Sequence, residues 1–493
     1  MLHTVKPLVA CLVLATLPLQ AIAQPERVIP SAAAREDAAL ARRAIDMIHP
    51  GLDRYTPKVE LDAAFDRLET ACRNDITERD FYAELSVALA RIRCSHTKAE
   101  PSKAWADWRA STPSYLPFRF IEDEGRMIVT RSAAEGVGTG DEVVGIDGVA
   151  AREVLATIFA AVPADGWTDS ARRFALSSMS DLDESELDHF LPAFFHLGES
   201  ARLEVRGPTE AKSRVVSVPL LTQDARRAAL AEPPPARNLD EAVSLDVRPD
   251  GVAILRVGTF IAYRKQIKPA DVYRPHFERL AAEKVGTLIL DLRDNGGGSD
   301  DAAIDLARFL VAKPFTPSSR QWVRTFRFAE LTEKLETWDR SVLNIPAEIF
   351  KDLGNGYFEV QSPPAEPFQP LEPAFTGRLI VLCGPANASG ATLFLAGLRE
   401  RRTVTLVGEP TGGSAEGPTA GIMLFLPLPN TGIKVRIPAI RSVTGIASAA
   451  ASGGLDPDVV VRPTLADRLA GRDVALLRAI ELAKGPALDQ QPR

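Results

Sequence analysis

The sequence predicts an α/β protein whose parallel-sheet core fills its C-terminal half, preceded by a helical unit and a small β-rich unit. Three observations predict it. Between residues 244 and 483, apolar runs at 252–257, 287–292, 378–383 and 403–407 alternate with helical patterns at 270–284, 302–311 and 390–401. Runs that are apolar throughout, rather than at every second residue, mark strands covered on both faces, as in parallel sheets joined by helices. Upstream, residues 32–110 show helical spacing, as in Leu61, Phe65 and Leu68 or Phe81, Leu85 and Leu89. Residues 116–220 instead hold short strand-like runs around one helical stretch at 152–162.

Bulk properties bound the function. The chain has 493 residues, 45% hydrophobic and 25% charged, enough for two or three domains with full cores. A net charge of -7 gives no basic footprint, so nucleic acid is not an expected partner.

Residues 1–6, an apolar run over 7–19 and Ala21-Ile22-Ala23 before Gln24 form the pattern of a secretory signal cleaved after Ala23. The run is shorter than the roughly 20 residues that a membrane span needs, and Pro18 interrupts it. A periplasmic or secreted protein without stable membrane insertion is therefore expected. Leu8-Val9-Ala10-Cys11 resembles a lipoprotein cleavage box, a minor alternative because so few apolar residues precede it.

Loss of the signal leaves Cys72, Cys94 and Cys383. An odd count argues against a disulfide framework, although a Cys72–Cys94 bridge is open to an exported chain; buried packing is the favoured role. Cysteines and histidines do not cluster in sequence, so neither a metal nor another cofactor is expected.

The expected partition is a signal at 1–23, a helical domain at 24–115, a β-rich domain at 116–222, a linker at 223–243 containing Pro233-Pro234-Pro235, the α/β core at 244–483 and a tail at 484–493. In the second domain, Gly140-Asp141, an apolar strand, the turn Ile146-Asp147-Gly148 and a helix resemble a PDZ domain, which adds a peptide end to a sheet edge. Its insertion at 166–198 carries Asp181, Asp183, Glu184, Glu186 and Asp188. That spacing fits no calcium loop and reads as a solvated helix face. A second insertion, 314–373 with Trp322 and Trp338, interrupts the core as a cap or a substrate-contacting excursion.

Two strand-to-helix junctions carry the chemistry. In Asp291-Leu292-Arg293-Asp294-Asn295-Gly296-Gly297-Gly298, three contiguous glycines follow a buried strand and can leave backbone N–H groups open to an anion. Dinucleotide and P-loop spacings are both absent. In Pro385-Ala386-Asn387-Ala388-Ser389-Gly390, a strand end runs through small residues into a helix. Ser389 there is either a nucleophile beside the Gly390 N–H or simply a helix N-cap.

Together the two junctions resemble the serine peptidase family of the C-terminal processing peptidases and the tricorn protease core. Asp291, Arg293, Asn295, Gly297 and Gly298 match its strand-end motif, Gly408-Glu409-Pro410-Thr411 its next segment, and Gly454-Leu455-Asp456-Pro457-Asp458 its last. The resemblance implies a ClpP/crotonase-like core, Ser389 as nucleophile, and the Gly297 and Gly390 N–H groups as oxyanion donors. It further implies peptide-bond hydrolysis through an acyl-enzyme, with a polypeptide as partner.

The family's catalytic lysine position is Ser414 here, which excludes a Ser-Lys dyad and points to the tricorn-like branch with its histidine. His96, in Cys94-Ser95-His96-Thr97, is the expected base and Ser95 an orienting hydroxyl. The branch's glutamate position is Ala451, so the orienting acid falls to Glu416, with Asp456 and Asp458 as late alternatives. A pseudo-peptidase that binds polypeptide ends without cutting them is the alternative function, and an acyl-CoA enzyme of the crotonase type is a weaker one that the export signal opposes.

Overall fold

A computed structural model describes residues 27–180, 183–317, 320–361, 366–444 and 453–485. The expected signal, Asp181 and Ala451 lie outside the described residues.

The core sheet runs in the order Val243–Val247, Val252–Val257, Thr287–Asp291, Arg378–Cys383, Thr405–Gly408, Val459–Val460. Its first pair is antiparallel and every later pair parallel. Alternation along each strand splits the apolar residues between two layers. Leu288, Leu290, Leu379 and Val381 pack against the helices Pro269–Ala282, Asp300–Leu310 and Ser389–Arg401. Ile289, Ile380, Leu382 and Val407 face the helix Val474–Lys484 on the other side. Covering both faces is what makes these strands apolar throughout.

A second, antiparallel sheet orders Phe350–Asp352, Phe358–Val360, Arg320–Val323, Lys434–Val443 and Thr419–Pro427. The 314–373 insertion thus supplies strands to a sheet that it shares with the late hairpin. A short strand from the helical unit, Lys98–Glu100, pairs with Lys434–Arg436 on this same sheet. The helices Ser31–Ile48, Lys58–Ala71 and Glu78–Ala90 bury Ile45, Phe65 and Leu89 in one apolar cluster with Leu424, Val435 and Ile437 of the hairpin. The β-rich unit is an antiparallel sheet ordered Phe118–Asp123, Arg126–Ser132, Glu142–Ile146, Ser200–Arg206, Arg214–Pro219, with the helix Ala151–Ala161 against it.

One expectation holds here and one is corrected. Cys72, Cys94 and Cys383 are buried free thiols, so no Cys72–Cys94 bridge forms. The acidic run is not solvated: Asp183 and Asp188 are buried. Arg226 grips both oxygens of Asp188 at 2.6 and 2.9 Å, and Arg119 reaches Asp183 at 3.4 Å. The partners come from strand Phe118–Asp123 and from helix Gln223–Ala229, so this stretch of the expected linker is packed structure.

Burial works to raise the Asp188 carboxyl pKa, but Arg226, the Ser185 backbone N–H and Arg119 outweigh it and hold the group below its ordinary value. Its contribution to stability is therefore complete above a pH of about 4 and is lost as the pH falls further. Asp188→Ala leaves the Arg226 charge buried and unpaired. It is expected to cost about 3–5 kcal/mol in urea unfolding at neutral pH, a loss that shrinks in acid.

Candidate active site

The two glycine-bearing junctions meet through a pair of fully buried asparagines. Asn387 Nδ2 donates to the carbonyls of Leu292 at 2.5 Å and Asn295 at 3.0 Å, while its Oδ1 accepts from the Gly384 N–H at 2.8 Å. The Asn387 carbonyl accepts from the Gly413 N–H at 2.7 Å and from Thr392 Oγ1 at 3.2 Å. Asn295 Nδ2 donates to Val257 O, and its Oδ1 accepts from the Gly297 N–H at 2.9 Å. Each side-chain amide thus fixes the loop that follows a different core strand.

Ser389 opens the helix Ser389–Arg401 with φ of 49°, in the left-handed region. Such strain in a non-glycine residue persists only where the surroundings impose it. The N-cap reading is excluded, because Ala388 holds the cap position and no side chain caps the helix. Ser389 Oγ has no hydrogen bond among the described residues. The hydroxyl is left facing a cleft of about 1910 Å³ that His96, Gly297, Gly298 and Gly390 also line.

The oxyanion donors need a correction. The Gly297 N–H is spent on Asn295 Oδ1 and is not free for a ligand. Gly298 N and Gly390 N carry no acceptor among the described residues, and a Cβ built on Gly390 would lie 3.7 Å from Gly298 N. The free pair is therefore Gly298 and Gly390. Gly297, at φ of 102°, serves by lacking a side chain: a Cβ there would meet Gly390 N at 2.9 Å and Ser389 Cβ at 3.0 Å.

His96 reaches this cleft because the next residues form strand Lys98–Glu100 on the second sheet. Arg436, on the paired strand, donates from Nε to the His96 carbonyl at 2.8 Å. Ser95 Oγ lies 3.2 Å from His96 Nδ1. Burial pushes the imidazole below its ordinary pKa; the Asp165 carboxylate pulls upward, while Arg436 and Lys98 add to the drop. A ring neutral near pH 7 keeps one nitrogen able to accept a proton.

Glu416 is not the acid beside His96. Both Nε and Nη2 of Arg54 hold its Oε2, at 3.0 and 2.8 Å, and Arg54 Nη1 donates to Gly417 O. Glu416 thereby anchors its own loop. Ser414, in the lysine position, is buried with its hydroxyl 2.8 Å from the Tyr55 hydroxyl. Asp456 and Asp458 also fall away: Asp458 pairs with Arg399 and accepts from the Leu406 N–H, and Asp456 is not among the charges that act on the His96 ring.

The carboxylate that does approach is Asp165, which the sequence reading missed. It sits in the loop after helix Ala151–Ala161, inside a stretch with no chemical signature. Its Oδ1 accepts the Ser95 N–H at 2.8 Å; its Oδ2 is buried without a hydrogen bond. A carboxylate oxygen of Asp165, a ring nitrogen of His96 and Cys94 Sγ lie within 4.8 Å of one another.

Residues 251–461 match the model of Peptidase family S41. No curated protein matches the chain. Among solved structures, mature CPAF complexed with lactacystin is similar at a TM-score of 0.63 and 16% identity, over 92% of this chain and 98% of that one. Mature CPAF alone gives 0.61 and 17%, over 92% and 97%. The photosystem II D1 C-terminal processing protease gives 0.41 and 16%, over 89% and 96%. At these identities the likeness to CPAF is one of fold.

Asn387→Ala would orphan the Gly384 N–H and the Asn295 carbonyl at once, while the Leu292 carbonyl keeps its bond from the Asn295 N–H. At roughly 1–3 kcal/mol for each unsatisfied buried group, chemical unfolding should show a loss of about 2 kcal/mol or more.

Proposed function

The family S41 match makes residues 251–461 a serine peptidase domain, and on that premise we propose that Ser389 is its nucleophile, His96 its base and Asp165 the acid that orients the base. The observation that carries this reading is the strained, uncapped Ser389 with a free hydroxyl in a cleft shared with His96 and two unpaired backbone N–H groups.

Ser389 Oγ attacks a peptide carbonyl while a His96 nitrogen takes its proton. The carbonyl oxygen gathers negative charge against the Gly298 and Gly390 N–H groups, at the positive end of the nucleophile helix. His96 then protonates the departing amine, and water repeats the sequence on the acyl-enzyme. Ring and hydroxyl carry no mutual hydrogen bond in the unliganded chain; such contacts commonly tighten only when substrate arrives. Asp165 acts from behind, through its charge and its hold on the Ser95 N–H.

The substrates are polypeptides. The sheet at 116–222 with its helix fits a chain end added to its edge, in the manner of a PDZ domain. The leader at 1–23 supports export to the periplasm or beyond. Among the described residues no helix is long and apolar enough to cross a membrane.

Ser389→Ala should reduce kcat on an unstructured polypeptide by about 10,000-fold or more, and only the parent protein should react with a fluorophosphonate. A parent that neither cuts nor reacts would instead mark a binding-only pseudo-peptidase. Asp165→Asn keeps an acceptor for the Ser95 N–H but loses the charge, so kcat should drop about 10- to 100-fold with KM little changed. Glu416→Gln should leave kcat near that of the parent; the opposite ranking would return the acid to Glu416.

A further inference from the structure

Cys94 adds to the His96 and Asp165 pair a thiol that peptide hydrolysis does not account for. The thiol has no part in the acyl transfer, yet its sulfur shares a 4.8 Å neighbourhood with a ring nitrogen and a carboxylate oxygen. Asp165 is almost wholly buried, at 3% exposure, and its Oδ2 finds no hydrogen-bond donor. A buried carboxylate oxygen without a partner is costly, and cation binding is one way of satisfying it.

We propose that Cys94, His96 and Asp165 form a binding site for a zinc-like divalent cation, and that occupancy of this site switches the peptidase off. Thiolate, imidazole and carboxylate are the three ligand types that zinc takes, leaving a fourth position for water. Tetrahedral zinc at about 2.0–2.3 Å from its ligands separates those ligand atoms by roughly 3.3–3.7 Å. The three groups therefore need to close in by no more than about 1.5 Å. On binding, the Cys94 thiol gives up its proton to solvent together with its contact to the Thr419 carbonyl, 3.3 Å away. Two anionic ligands then balance the cation, so neighbouring Arg436 and Lys98 face a site with no net charge.

Inhibition follows from the ring's valence. A neutral imidazole has one unprotonated nitrogen. If the metal takes that lone pair, the other nitrogen carries the proton, and neither can accept the Ser389 proton. The result is the same whichever nitrogen binds. The ion would act as a reversible block, and no step of hydrolysis runs through it.

The inhibitory half rests on the proposed Ser-His reading, but the site itself does not, so binding is tested on Ser389→Ala, which keeps all three ligands. Cobalt(II) titrated into this protein should give one equivalent of binding with a thiolate-to-cobalt absorption band, displaced by zinc(II). The band should vanish in Ser389→Ala carrying Cys94→Ala, and affinity should fall at least tenfold with Asp165→Asn, with folding of each checked by circular dichroism. No band at millimolar cobalt, or a band that survives Cys94→Ala, overturns the site. In the active parent, one equivalent of zinc should abolish hydrolysis and a chelator should restore it. Full occupancy with undiminished hydrolysis overturns the switch while leaving the site standing.

Discussion

The buried amide interlock between Asn387 and Asn295 is the constraint on which the rest of the site depends. Each asparagine lies just past the end of a parallel core strand, and each spends its side chain on the other junction or on a neighbouring strand end. A side-chain amide suits this task because it donates and accepts at once, with no charge to desolvate. With the two loops locked together, Ser389 is forced into a left-handed backbone and Gly297 into a fold that holds its own N–H away from the cleft. Strain at Ser389, the proposed nucleophile, is thus imposed by hydrogen bonds formed some distance beneath it.

The second requirement is delivery of the proposed base, His96, from a part of the chain nearly 300 residues before Ser389. This falls to the antiparallel sheet rather than to the parallel core. Lys98–Glu100 pairs with Lys434–Arg436, and Arg436 fixes the His96 carbonyl. The apolar cluster joining the N-terminal helices to Leu424, Val435 and Ile437 holds that pairing in place. Sheet and cluster together give the histidine a rigid mount, which a catalytic group needs. The same packing buries Cys94 and Asp165 beside the ring, and so underlies the proposed metal site as well as the proposed catalytic one.

Arginines dominate the polar interior. Arg226 and Arg119 hold the acidic run, Arg54 holds Glu416, and Arg293 joins Asp291 to Asp473 at the N-terminus of the last helix. Planar, always-charged forks suit bidentate contacts with buried carboxylates. Most acidic residues that looked available for chemistry are consumed in this way. Asp165 differs among the described residues: its oxygen without a hydrogen bond also has no ion pair, whereas those of Asp183 and Glu78 lie 3.5 and 3.6 Å from Arg227 and Arg27.

By itself the sequence determined the βα core, since strands buried on both faces read as near-continuous apolar runs, and residues 379–383 and 252–255 show such runs. It also determined the two junctions, because glycine runs and a serine at a helix start are local signals. Local pattern could not determine which N–H groups stay free: that turned on the Asn295 side chain, whose partner is set by the turn it closes. Nor could it assign the acid. Glu416 was near in sequence to a motif, but Arg54, 362 residues away, claims it; Asp165 carries no motif and is brought to Ser95 by the packing of a loop. Charge partners are chosen by distance in space, and in this chain only the tertiary structure fixes those distances.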